Sequence, residues 1–99
     1  MVTEPLNGLV ATLQAEKARL AEQYRVRSLG VFGSYARGEA GPESDLDVLV
    51  EFDEAPSLFE YVRLQYDLGD LLGVPVDLVM KSALKPSIRK QILEEVVAV

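Results

Sequence analysis

The chain has 99 residues and carries sixteen acidic against ten basic side chains, a net charge of −6. That length suits one domain, expected to span residues 1–99, and 48% hydrophobic residues exclude a chain that stays disordered for want of a core. The acidic balance has the wrong sign for gripping bulk nucleic acid through its phosphates, and with neither cysteine nor histidine present any chemistry must rest on carboxylates. No apolar run approaches the roughly 18 residues of a membrane span, and Met1 to Asn7 lacks the character of a signal peptide, so the cytoplasm is the expected location.

From Leu6 to Tyr24 the apolar residues Leu6, Leu9, Val10, Leu13, Leu20 and Tyr24 recur at helical spacing, with Thr3 or Asn7 as candidate caps. Arg27 to Phe32 reads as a short strand that stops at Gly33, followed by a helical turn from Ser34 through Arg37 and a loop from Gly38 to Ser44. In Asp45 to Phe52, Leu46, Val48, Val50 and Phe52 alternate with Asp45, Asp47, Leu49 and Glu51, which predicts a strand with one core face. Ser57-Leu58-Phe59-Glu60 is a capping box that opens a helix closed by Gly73. Val74 to Met80 is a third strand, so Asp45 to Met80 forms a βαβ unit with parallel strands. A last helix contains Pro86, Ile88, Ile92, Leu93 and Val96, and Val96 to Val99 is compatible with fraying, helix or a short edge strand.

Asp45 and Asp47, two apart on a strand, point to the same face and can share a cation. The βαβ geometry puts Asp77 beside them, the one charged residue between Val74 and Met80, in a stretch whose apolar neighbours argue for burial. If the first strand runs antiparallel to the second, Gly33-Ser34 reaches the same edge, where a glycine without a Cβ admits a phosphate to the backbone. Each feature alone has a plainer reading, as a turn acid, a strand-mouth polar residue and an ordinary turn. Arg37 is equally a triphosphate contact or a solvated side chain, Ser44 a phosphate contact or a turn cap, and Glu51 a solvent-facing residue. Tyr35, Tyr61 and Tyr66 read most simply as packing residues, and Tyr35 lies close enough in sequence to stack on a base. Neither common phosphate-binding glycine motif occurs. Carboxylates for hard cations beside a phosphate turn fit phosphoryl or nucleotidyl transfer.

Gly33-Ser34, ten residues, Asp45-Leu46-Asp47 and later Val76-Asp77-Leu78-Val79 resemble the nucleotidyltransferase fold of the DNA polymerase beta superfamily. More narrowly, Gly33 to Ala40 and Pro42 to Asp47 look like the minimal nucleotidyltransferases of prokaryotes. The resemblance implies an α+β fold, a small mixed sheet with helices packed on it. It also implies ATP as substrate and magnesium, as two ions, held by Asp45, Asp47 and Asp77, with Gly33 and Ser34 taking the triphosphate. Such proteins commonly pair with a helical HEPN-domain protein as a toxin–antitoxin system and adenylylate a tyrosine on it. A basic helical partner and a nucleoside triphosphate are therefore expected, with neither a membrane nor bulk nucleic acid involved, and self-association stays open. Two other functions compete: a non-catalytic nucleotide-binding module that masks its partner, and a nucleotidyltransferase for a small molecule.

Overall fold

The computed structural model describes residues 4–99. In chain order it holds α1 (Glu4–Tyr24), β1 (Val26–Phe32), α2 (Ser34–Arg37), β2 (Leu46–Phe52), α3 (Leu58–Leu72), β3 (Val76–Met80), a 3-10 turn (Lys81–Ala83), α4 (Pro86–Glu95) and β4 (Val97–Ala98). The sheet has four strands in the order β3-β2-β1-β4. β2 and β3 are parallel, whereas β1 is antiparallel to both β2 and β4, so the predicted mixed sheet and both strand directions are found.

α1 buries Leu6, Leu13, Leu20 and Tyr24, a stripe that recurs at sevens and a four because two helical turns nearly complete seven residues. This stripe packs with Leu64 and Leu68 of α3 against Leu29, Val31, Leu46, Val48, Val50 and Leu78 of the sheet. Asn7 lies inside α1 and does not cap it, and Thr3 falls outside the described residues. α3 starts with the predicted capping box: Ser57 accepts from the Glu60 amide and the Glu60 side chain accepts from the Ser57 amide. Gly73, in the left-handed region at φ 69°, closes the helix.

The opposite face departs from the simple alternation. Leu49, expected among the non-core positions of β2, is buried with Phe32 and Leu84, and Val79, Ile92 and Val96 pack on this smaller cluster. α4 lies over that face, so the sheet is covered on both sides. β1 starts at Val26, β2 at Leu46 and β3 at Val76; the Pro75 carbonyl accepts from the Leu46 amide and opens the β2–β3 pairing.

Two further expectations are corrected. Asp77 is exposed, because β3 is the sheet's edge strand and the residue faces away from α3, whose packing buries Leu78. Tyr66 is 70% exposed on the outer side of α3 and packs on nothing in the core, unlike Tyr35 and Tyr61, which do. Residues 96–99 resolve into β4: Val97 pairs with Val31, Ala98 with Gly30, and the Val99 amide donates to the Leu29 carbonyl at 3.0 Å. Lys17 of α1 donates to the Val99 carbonyl at 2.9 Å and ties this segment to the first helix.

Candidate functional site

Asp47 and Asp77 are register partners in the parallel β2–β3 pair, so their side chains leave the same face of neighbouring strands roughly 4.8 Å apart. Asp45 immediately precedes β2 and is exposed. Burial pushes the Asp47 carboxyl above the ordinary carboxylate value, and the charges of Asp77 and Asp45 push it further in the same direction. The Arg37 charge opposes that shift and Glu95 adds to it. The two strands thus bring the predicted carboxylates within electrostatic reach of one another. Among the described residues, however, no three acidic side chains are gathered closely enough to form a ready metal cage.

Gly33 closes the other side. Phe32, its predecessor, pairs with Asp47 across β1 and β2, and the chain turns at Gly33 with φ 74° and ψ −152°, a conformation essentially confined to glycine. A Cβ here would lie 2.0 Å from Asp47 Oδ2 and 3.0 Å from its Cγ. The bare backbone of Gly33 is therefore what leaves room for the Asp47 carboxylate. Ser34 follows as the first residue of α2, half-buried, and Gly38 ends that turn at φ 73°.

The remaining candidates are engaged within the protein. Ser44 Oγ accepts from the Gly41 amide at 2.8 Å, which is the turn-capping alternative. Glu51 is paired: its carboxylate accepts from Ser28 Oγ at 2.8 Å and from Lys81 at 3.4 Å, and the Ser28 bond draws it below the ordinary carboxylate value. Arg37 is bonded to Glu95 and also reaches Glu39. Glu95, which the sequence pattern did not single out, accepts the Gly33 amide at 2.8 Å. The available signal was a Glu94-Glu95 pair in a helix's last turn with no basic residue to offset it. A groove of about 500 Å³ between Glu51, Met80, Lys81 and Arg89 lies at the far ends of β2 and β3 and shares no residue with this site.

The donor set suits magnesium. Its atoms are hard carboxylate oxygens, and the repulsion that raises Asp47 is one that a divalent cation would relieve. No helix among the described residues is long and apolar enough to cross a membrane.

Residues 14–99 match the family described as Nucleotidyltransferase domain. A protein adenylyltransferase, MntA, of Thermococcus cleftensis is 52% identical over 94 residues, covering 95% of each chain. A relative from Methanocaldococcus jannaschii, provisionally named a protein adenylyltransferase, is 48% identical over 88 residues, covering 88% of this chain and 90% of its own. A solved structure provisionally described as a minimal nucleotidyltransferase superposes with a TM-score of 0.75 at 40% identity, covering 92% of this chain and 95% of that one. More distant structures share the fold. A toxin–antitoxin complex with AMP-PNP is 21% identical with a TM-score of 0.70, covering 86% of this chain and 70% of that one. A tri-AMPylated Shewanella oneidensis HEPN toxin in complex with its MNT antitoxin is 17% identical with a TM-score of 0.64, covering 91% and 70%. The aspartates on adjoining parallel strands and the glycine turn above them thus sit in a chain that belongs to the nucleotidyltransferase domain family and is a nucleotidyltransferase.

Proposed function

We propose that this protein transfers AMP from ATP to a tyrosine hydroxyl on a basic, helical HEPN-domain-like partner, and acts as the antitoxin of that pair. The observation that carries the reading is the half-buried Asp47 beside Asp77 and beneath the bare backbone of Gly33. The relative from Thermococcus cleftensis, a protein adenylyltransferase matched along nearly its whole length, supports the choice of a protein acceptor. The fold relatives that hold AMP-PNP or an AMPylated HEPN toxin support the nucleotide and the partner.

In this reading Asp45, Asp47 and Asp77 would hold magnesium, which when bound neutralises the triphosphate and lowers the pKa of the acceptor hydroxyl. Gly33 and Ser34 receive phosphate oxygens at the turn, and Arg37 supplies positive charge from the end of α2. Asp77, exposed on the edge strand, is open to an acceptor approaching from solution. The acceptor hydroxyl gives up its proton to solvent as its oxygen bonds the α-phosphorus, the bond from the α-phosphorus to the oxygen bridging to the β-phosphate breaks, and pyrophosphate leaves.

The test is incubation with ATP and a co-expressed HEPN-domain partner, followed by mass spectrometry of the partner. AMP on a partner tyrosine is the expected result, lost when Asp45→Asn and Asp47→Asn are combined. Neutralisation of the partner by the double variant as fully as by wild type would replace transfer with masking.

A further inference from the structure

Two of the groups assigned to the triphosphate, the Gly33 amide and Arg37, already hold an anion. Glu95 is the last residue of α4, four-fifths of its side chain is buried, and its Oε1 accepts the Gly33 amide at 2.8 Å. Arg37 Nη1 lies 3.3 Å from the same oxygen and 3.4 Å from Oε2. One carboxylate therefore takes a backbone N–H and a guanidinium together, the same pair of groups a phosphate would use.

The placement works against Glu95's own surroundings. A carboxylate in the last turn of a helix faces unpaired carbonyls, and the last turn of α4 contains no basic residue to offset it. Its charge is also felt by Asp47, whose carboxyl it helps to push up alongside Asp77 and Asp45, all of the same sign. Among the described residues, its hydrogen-bond and ion-pair partners are Gly33 and Arg37. β4 fixes the reach: Val97 and Ala98 pair with β1 directly after α4, and Val96 Cγ2 presses on Gly30, where a Cβ would come within 2.5 Å. The carboxylate is thus delivered to the turn by a strand that is itself part of the sheet.

We propose that Glu95 is an internal stand-in for a nucleotide phosphate, occupying Gly33 N–H and Arg37 until a triphosphate displaces it, and that it sets how tightly the site takes nucleotide. The inference rests on the nucleotide site proposed above and adds a competitor to it. Displacement moves one negative charge away from Asp47 as the phosphates enter, so the site exchanges a carboxylate for a ligand that arrives with its own cation. A bound triphosphate would then also leave the end of α4 without its anchor on the β1–α2 turn.

Calorimetric titration of the full chain with ATP and excess magnesium tests this without any acceptor, using Glu95→Gln, Glu95→Ala and Glu94→Gln. Both changes at Glu95 should tighten binding roughly tenfold, because each removes a charge-assisted competitor. Glu94→Gln removes the same charge from the neighbouring, exposed residue of α4 and should change affinity by less than about twofold, solvent and salt screening an exposed charge strongly. If Glu95 merely props the turn, glutamine, which can still accept the Gly33 amide, will leave affinity unchanged and alanine will weaken it. That result overturns the proposal and leaves the nucleotide site standing. Failure of wild type and every variant to bind would remove both. Melting curves without nucleotide exclude unfolding as the source of a weakened Glu95→Ala.

Discussion

Gly33 and Asp47 touch across the β1–β2 pair so closely that a single added methyl would fall 2.0 Å from a carboxylate oxygen. The contact joins the turn proposed to receive phosphate to the acid proposed to hold its cation. Gly33→Ala should therefore damage both at once. The left-handed backbone at φ 74° alone costs an alanine about 1–3 kcal/mol, and Asp47 must also swing aside because its Cγ and Cβ crowd the new atom too. We expect a lower melting temperature and loss of Mg-ATP binding beyond the unfolded fraction, read by calorimetry on the folded protein. An alanine variant that binds nucleotide as wild type does would separate the turn from the acid.

Asp47 and Asp77 share a register position but not an environment. Asp47 is half-buried under the turn, whereas Asp77 is exposed on the edge strand. Asp47→Asn should abolish nucleotide binding and transfer together. Asp77→Asn should keep measurable Mg-ATP binding while transfer falls about 10²–10⁴-fold, if its contribution lies with the acceptor as proposed. Equal loss of binding in the two variants would show a single shared role.

Stability of the metal-free protein gives a reading of Asp47 independent of activity. Its carboxyl is raised by burial and then by Asp77 and Asp45, so the folded state holds its proton more tightly than the unfolded chain does. Stability from this group is present below the ordinary carboxylate value and is lost as pH rises through the window up to the raised one. At neutral pH without metal, Asp47→Asn should melt higher than wild type, and the gap should close in acid. Thermal melts in EDTA across that range check it. A variant that melts lower at neutral pH would make the Asp47 carboxylate a structural acceptor.

Away from the site, Asp67 is the opposite case. Arg19 donates two hydrogen bonds to it, at 3.0 and 3.1 Å, and Tyr24 donates a third at 2.7 Å. The Arg19 bonds chiefly hold its carboxyl below the ordinary value against the cost of burial. This stabilisation is present above the ordinary carboxylate value and is lost as pH falls through the depressed one. The Tyr24 hydroxyl is pushed up to about 12 by burial and by its bond to Asp67, so its share disappears as pH rises from 10 toward that value. Asp67→Asn should cost about 1–2 kcal/mol at neutral pH, a figure discounted because Arg19 is more than a third exposed, and the cost should shrink in acid. Denaturant melts at neutral and acid pH provide the measurement.

The elements of this fold were legible because each is signalled locally. The Ser57–Glu60 capping box, the glycine at 73 and the heptad-like stripe Leu6, Leu13, Leu20 act within one or two turns of helix, where sequence distance and spatial distance coincide. The alignment of Asp47 with Asp77 followed from the handedness and parallel register of a βαβ unit, a geometric rule and not a contact. What the chain order could not contain is which face each edge leaves open. Asp77 is exposed because β3 has no strand on its outer side, and Leu49 is buried because α4 folds back over a face that alternation alone leaves to solvent. The fate of residues 96–99 depended on an unpaired edge of β1 being free to receive them. Glu95 reaches Gly33 for the same reason: 62 residues separate them along the chain, and the packing of α4 on the sheet with the docking of β4 on β1 brings the carboxylate to the turn. Periodicity and capping are properties of neighbours in sequence, whereas edges, coverage and long-range charge pairing exist only once the sheet has been assembled.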